Sequence, residues 1–360
     1  MTTGVPLIVG GGPAGCAAAI HLLHAGARPL IVERRAAGTD PLCGGFLSWR
    51  TIKQLEALGI TPQALGGHRI TSLHVFLRER HHTFALPAPA MALSRSRLDH
   101  ALTERAQAMG AQVRAETATY ANGRLRLGNG EILASDSLFL ATGKHDLHGL
   151  GRPRGSAGAD PILGLRLRLP ASDVLRGLLG ASIEIHLFSG GYIGAVLQED
   201  GSANFCMAVR KSRLAVAGGQ PAALFAQLAQ ASAPLAGRLA DMPNVPRIDA
   251  IGHVPCGWRA RSGQPGIFRL GDQAGVISSL AGEGIGIALA SAKCAVRFWR
   301  EGGGAAAPAY QRAFAKRLRR PLAAAELIAA AGMHPLAGLP LSLLAALPGA
   351  AGSLAQLTRV

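Results

Sequence analysis

Lysine is scarce in this chain, supplying five of the 37 basic residues in 360 positions. Acidic residues number only 21, charged residues make up 16% and aromatic residues 4%. The net charge of +16 is therefore an arginine excess, set in an alanine-rich composition of the kind that GC-rich coding produces. An anionic lipid surface and an acidic ligand are the other partners it admits. No aromatic-basic motif accompanies the charge, so a nucleic-acid partner is not expected. The five cysteines (Cys16, Cys43, Cys206, Cys256, Cys294) form no CxxC or CxxxC pair, which excludes a disulfide framework and a zinc module. Their number is odd and suits a reducing cytoplasm.

No apolar run of about 18 residues is free of proline, glycine clusters or charge, so a spanning helix is not expected. The nearest, Pro335 to Leu357, is interrupted by Pro335, Pro340 and Pro348. The first apolar stretch has no basic region ahead of it, as a signal peptide would. A G-x-S-x-G elbow is missing, which removes the usual serine-nucleophile reading. Of the 12 histidines, His81 and His82 point to opposite strand faces. His21 and His24 share a helix face without a third ligand, and no metal is expected.

What the chain does have is apolar material, 49%, with 47 glycines and 21 prolines, enough for a full core joined by close turns. Its first forty residues are the most informative. Val5–Val9 reads as a strand, Cys16–Ala25 as a helix and Pro29–Val32 as a second strand. Between the first two lies Gly10-Gly11-Gly12-Pro13-Ala14-Gly15. In such a βαβ unit Gly10 permits the tight turn, Gly12 the approach of a pyrophosphate, and Gly15 close packing of helix on sheet. The helix N-terminus offers free N–H groups and a positive dipole end to the phosphates. Glu33, 18 residues after Gly15, is placed to hold an adenosine ribose, with Arg34 beside it. That favours FAD or NAD over NADP.

Further on, Asp40–Arg50 forms a second glycine loop and Thr51–Leu58 a helix. Ile70–Leu77 and Thr83–Leu86 alternate as hairpin strands. A helix follows Arg95-Ser96-Arg97-Leu98-Asp99, strands follow over 112–119, 124–127 and 132–133, and a buried strand ends at Ala141-Thr142-Gly143. Strands at 162–169, 183–188 and 204–209 with a helix over 222–239 make up a middle region. A strand closing on Gly271-Asp272, a helix from Gly284 to Arg300 and a basic helix over 309–320 complete the pattern.

Taken in order, these motifs resemble the FAD-dependent superfamily that includes geranylgeranyl reductases and para-hydroxybenzoate hydroxylase-like monooxygenases. The resemblance covers roughly residues 5–300 and rests on five elements. These are Gly10-x-Gly12-x-x-Gly15 with Glu33, Arg95-x-x-Leu98-Asp99, Ala141-Thr142-Gly143, Leu270-Gly271-Asp272-Gln273-Ala274-Gly275 and Ala281-Gly282-Glu283-Gly284-Ile285. The resemblance implies that Asp272 holds the ribityl chain, and that Gly282, Gly284 and Ile285 lie beside the flavin ring. The Cys43-Gly44-Gly45-Phe46-Leu47-Ser48 loop is similar to a geranylgeranyl reductase element near the flavin's redox face, which makes Cys43 the candidate catalytic residue. The order Lys144-His145-Asp146 departs from the hydroxylase pattern for NAD(P)H contact. The proline expected shortly before Gly282 is replaced by Ser278 or Ser279.

The expected fold is α/β, with a Rossmann-like FAD-binding domain of glutathione reductase-type βαβ, an inserted β-rich substrate domain and a helical C-terminus. The FAD-binding domain takes 1–155, with an inserted hairpin near 68–90, and 266–305; the substrate domain takes 156–265, and a helical, apolar segment takes 306–360. The expected function is an FAD-dependent oxidoreductase acting on a hydrophobic small molecule, either a monooxygenase or an ene reductase of an isoprenoid or polyketide-type double bond. NAD(P)H is an open choice of electron donor. A prenyl-binding carrier of GDP-dissociation-inhibitor type and an NAD-only dehydrogenase are the rival readings. Residues 309–357 either cover the substrate cavity or rest on the inner face of the membrane.

Overall fold

The computed structural model describes residues 4–36, 38–152, 160–252, 254–334 and 350–360. The boundary expected at 155/156, and residues 335–349 of the apolar segment, lie outside the described residues.

The chain opens with β1 (Leu7–Val9), α1 (Pro13–His24) and β2 (Leu30–Glu33). The helix starts earlier than its alanine-rich stretch suggests, because Pro13 occupies the first turn, where a missing N–H costs nothing. β6 (Gln112–Ala115), β10 (Leu138–Leu140) and β16 (Ile267–Arg269) complete a parallel five-stranded sheet in the order β16-β10-β1-β2-β6. Alternation along each strand sends side chains to two different cores. Ile8, Ile31, Phe139 and Phe268 pack with α1, α4 (Arg95–Ala108) and α9 (Gly284–Gly302). Leu7, Val9, Leu30, Val32, Leu138 and Leu140 pack on a meander of β7 (Ala118–Ala121), β8 (Arg124–Leu127) and β9 (Ile132–Leu133). Burial on both faces is why these strands read as unbroken apolar runs.

A second sheet of eight strands has the order β15-β11-β14-β13-β12-β4-β5-β3. It uses β3 (Phe46–Leu47), β4 (His68–Leu77) and β5 (Arg80–Ala92) from the first part of the chain. The rest are β11 (Ile162–Leu169), β12 (Ser182–Phe188), β13 (Gly191–Leu197), β14 (Ala203–Arg210) and β15 (Ile248–Ile251). β4 runs parallel to β12, with Ser72 opposite Ser182, so the early hairpin and the middle segment share one sheet. One face is covered by α5 (Asp173–Leu179), α7 (Pro221–Gln230) and α8 (Ala233–Arg238), which bury Leu165, Leu167, Ile193, Ala195, Phe205 and Val209. The other face carries Leu73, Val75, Ile183, Ile185, Leu187, Tyr192 and Val196 toward the five-stranded sheet.

Short helices α2 (Trp49–Glu56), α3 (Pro62–Leu65) and α6 (Lys211–Val216) fill the connections. α10 (Ala307–Gly332) runs through Pro321, well past the expected stop at Arg320, and α11 (Ala350–Leu357) follows. Further sequence expectations change. The single helix over 222–239 is two helices, because Ser232 caps a new start and Pro234 fits only a first turn. The strand over 112–119 is two strands in different sheets. β13 occupies the glycine-bearing stretch Gly191–Leu197, for which the sequence pattern proposed no strand.

Candidate active site

The residues expected to touch a dinucleotide converge on one cavity of about 1800 Å³, with Gly15 alone set back from its lining. The glycines are there for contact distance. A Cβ on Gly10, whose φ is +107°, would lie 2.3 Å from the Ala141 carbonyl oxygen. One on Gly15 would lie 1.8 Å from the Gly10 carbonyl oxygen. The turn therefore closes directly on the end of β10, and α1 packs against the loop it caps. Glu33 ends β2 with its carboxylate folded over the turn, accepting from Gly11 N–H at 2.6 Å and from Arg35 N–H at 2.8 Å. Burial would raise its pKa, but these bonds and the Arg35 guanidinium outweigh burial and hold it below the usual carboxylate range. Arg34 is exposed at the same rim.

Arg95 sits in the first turn of α4, forked onto Asp99 at 2.9 and 2.7 Å, and its guanidinium borders Gly12. Burial opposes its charge, Asp99 outweighs burial, and the cation is kept beside the Gly10–Gly15 turn. Ser94 caps α4 and is itself held by Glu199, from the turn between β13 and β14, through Ser94 N–H at 2.9 Å. Opposite lie Gly271 and Asp272, at the first turn after β16; Gly271 N–H is fixed by Ser291 Oγ at 2.9 Å. Beyond Ala141-Thr142-Gly143, Gln273 Nε2 clamps the carbonyls of Gly143 and His145 at 3.0 and 3.1 Å. Asp146, in the altered hydroxylase stretch, is bonded to Arg152 at 2.9 Å and works as a loop tie.

The Cys43-Gly44-Gly45 loop lines the middle of the cavity. It is held through backbone: the Cys43 carbonyl accepts from Asn204 Nδ2 and Cys206 Sγ, both at 3.0 Å. Gly45 has φ +74°, and a Cβ there would press on Gln198 and the Leu93 carbonyl at 3.0 Å. Asn204 and Cys206 come from β14, far away in sequence, and only the sheet registry reveals them. Burial pushes the Cys206 thiol up to about 12, so it is a neutral donor.

The Ala281–Ile285 loop faces that thiol loop. Gly282, with φ +62°, ends a turn of 3₁₀ helix, and its Cβ would meet the Phe46 ring at 2.8 Å. Glu283 is the N-cap of α9 and is fully buried. Its carboxylate accepts from Ser48 Oγ at 3.1 Å and Arg359 Nη1 at 2.9 Å. Burial raises its pKa above the usual value, against the pull of Arg359 and Ser48. Sequence motifs showed Glu283 but not its partner.

Past these loops the cavity turns apolar. Its roof is the inward face of β4, β5, β12 and β13; its side and rim include Leu280, Leu327, Ile328, Ala355 and Leu357. A polar group among them is Tyr192, buried with its hydroxyl on Ser279 Oγ. Burial pushes that phenol well above its ordinary range, so it stays protonated.

A cradle of glycines that a Cβ would fill, a carboxylate at the strand end, a half-buried guanidinium over the helix N-terminus and Asp272 across the cavity together fit an extended dinucleotide. Residues 2–124 match the family model described as FAD binding domain. Among solved structures the chain is similar to the flavin-dependent brominase Bmp2, with TM-score 0.77 and 17% identity over 98% of this chain and 92% of that one. It is also similar to 2-methyl-3-hydroxypyridine-5-carboxylic acid oxygenase, at TM-score 0.70 and 20% identity over 100% and 99%. PqsL of Pseudomonas aeruginosa, solved with 2-aminobenzoylacetate, matches at TM-score 0.72 and 15% identity over 91% and 96%. The α/β fold class and the FAD cofactor expected from the sequence both hold.

Proposed function

From an FAD-dependent oxidoreductase with the fold of the flavin monooxygenases and halogenases, we propose an enzyme that inserts oxygen into a hydrophobic small molecule. FAD, when bound, supplies the two-electron redox chemistry and the activation of oxygen. Gly10, Gly12, Pro13, Ala14, Glu33 and Arg95 hold its dinucleotide end, Asp272 its linking chain, and the 43–45 and 282–285 loops its ring. The observation that carries the reading is the apolar roof opposite those loops: Leu73, Val75, Ile183, Ile185, Leu187 and Val196. Such a lining excludes water and gains by burying an apolar substrate, at about 25 cal/mol per Å². Tyr192, a neutral donor, can orient one oxygen of that substrate. NAD(P)H is the proposed reductant, arriving at the rim where Arg34, Lys144 and His145 gather. There, partial burial and then the Arg34, Arg35, Lys144 and Arg152 charges lower the His145 pKa.

Oxygen dependence is the test. Turnover should stop without oxygen, and product formed under labelled oxygen should carry one labelled atom. Turnover that persists anaerobically selects the second reading, reduction of an alkene, which the Cys43 thiol at the cavity favours by offering a proton to the carbon opposite the incoming hydride. A protein that retains and takes up no FAD would return the carrier reading.

The exposed basic face of α10 extends the proposal to location. Arg312, Lys316, Arg317, Arg319 and Arg320 have no ion-pair partner among the described residues. Leu327, 73% exposed on the same helix, lines the cavity rim. Among the described residues no helix is long and apolar enough to cross a membrane. Peripheral contact with an anionic bilayer would then present the cavity to a greasy substrate. Phosphatidylglycerol vesicles should co-sediment the protein at low salt and phosphatidylcholine vesicles should not. Equal behaviour with the two lipids removes the membrane.

A further inference from the structure

Two loops flank the place where the flavin ring fits, and neither is held only by its neighbours in sequence. Ser48 closes the Cys43–Ser48 loop and Glu283 lies in the Ala281–Ile285 loop. The Ser48 hydroxyl donates to Glu283 Oε2 at 3.1 Å. Onto the same oxygen comes Arg359 Nη1 at 2.9 Å, and that nitrogen also reaches the Ala281 carbonyl at 2.6 Å. Val360 N–H approaches the other carboxylate oxygen at 3.5 Å. The guanidinium lies 5.1 Å from the centre of the Trp49 ring and 6.0 Å from that of Phe46. The Arg359 side chain is 5% exposed and that of Glu283 0%. The segment that supplies Arg359 also lines the cavity through Ala355, Leu357 and Thr358.

We infer that Arg359 is the positioning residue of the flavin site, clamping both ring-flanking loops through Glu283 and neutralising that carboxylate. An ionised Glu283 without a partner would be a buried negative charge at the loop that faces the flavin. Burial is tolerated only when the charge is paired and hydrogen-bonded. Reduced flavin is anionic, and a second uncompensated negative charge beside it would disfavour reduction. Arg359 removes that repulsion, and its contact with the Ala281 carbonyl fixes the turn at Gly282. The role concerns the cofactor and does not depend on which substrate the enzyme takes.

The test compares Arg359→Met, Arg359→Lys and the double variant Arg359→Met/Glu283→Gln in the full chain. FAD affinity is read by titrating apoprotein, and the midpoint potential by equilibration with a dye. Arg359→Met should weaken FAD binding at least tenfold. It should also disfavour reduced over oxidised flavin about tenfold, a fall of ~30 mV for a two-electron couple. Arg359→Lys should stay within about threefold of wild type on both readouts. The double variant, which leaves no unpaired buried charge, should recover the potential and secures the test if the single variant folds poorly. Wild-type affinity and potential in Arg359→Met overturn the inference, as does a double variant whose potential is as low as that of the single one. Failure of the wild type itself to bind FAD would instead strike the cofactor.

Discussion

A methyl group on residue 15 would have to occupy space 1.8 Å from the Gly10 carbonyl oxygen. The backbone must move, and the loop that moves is the proposed phosphate cradle. Gly15→Ala should therefore lose FAD and cost on the order of 3 kcal/mol of stability, readable as a lower melting temperature of the apoprotein. Asp272→Ala should behave differently, with FAD retention falling sharply while apoprotein stability stays near wild type; full flavin occupancy would remove Asp272 from the linker contact. Cys43 separates into two parts. Its carbonyl holds the loop, so Cys43→Ser should keep the flavin, and a fall in turnover of tenfold or more would report the thiol. Unchanged turnover leaves the residue as loop packing. The sequence made the turn contacts of Gly10, Gly15 and Glu33 legible because each lies within a local motif, and the same kind of motif put Asp272 at the cavity. Asn204, Cys206 and Arg359 were not legible, because their partners lie up to 163 positions away and no local pattern encodes such a contact.

At the scale of an element, β12 shows how one strand serves two surroundings. Ile183, Ile185 and Leu187 face the cavity, while Glu184 and His186 face the helices behind. Glu184 takes Arg238 on both oxygens at 2.8 Å and His186 at 3.0 Å, and Phe76 stacks on His186 at 4.6 Å. Burial would raise the Glu184 pKa, but His186 and Arg238 outweigh it and lower it. A lowered carboxylate pKa gives stability that is full above the unfolded value, about 4.3, and is lost as pH falls through the folded one. Glu184→Gln should cost about 3 kcal/mol near neutral pH and progressively less toward pH 3, measured as melting temperature against pH. Glu283 has the opposite sign. Its raised pKa makes its contribution greatest in acid and lost as pH rises through the folded value. The strand was legible because alternation of apolar residues is a property of single segments. The break at Ser232 to Pro234 is equally local, but continuous apolar periodicity across it masked the cap. β13 was hidden because glycine at 191 and 194 weakens a strand pattern unless a neighbouring strand is known to approach.

For the whole molecule, the two sheets meet across the cavity, and the proposed FAD site draws loops from both. Occupancy should therefore raise the melting temperature by linkage, worth about 2.7 kcal/mol at a hundredfold excess over Kd. Scanning calorimetry should show one transition for the loaded protein; two well-separated transitions would mean that the sheets do not share the cofactor. The order of strands has a separate consequence, for synthesis. Four strands of the five-stranded sheet have emerged by Leu140, but β16, which pairs with β10, begins only at Ile267. At 5–20 residues per second the ribosome needs roughly 6–25 s to reach it. For that interval β10 is an uncapped parallel edge of Leu, Phe and Leu, and Asp272 does not yet exist. The nascent chain thus carries an unpaired parallel edge until the late strand is in place, and the proposed cofactor site is complete only then.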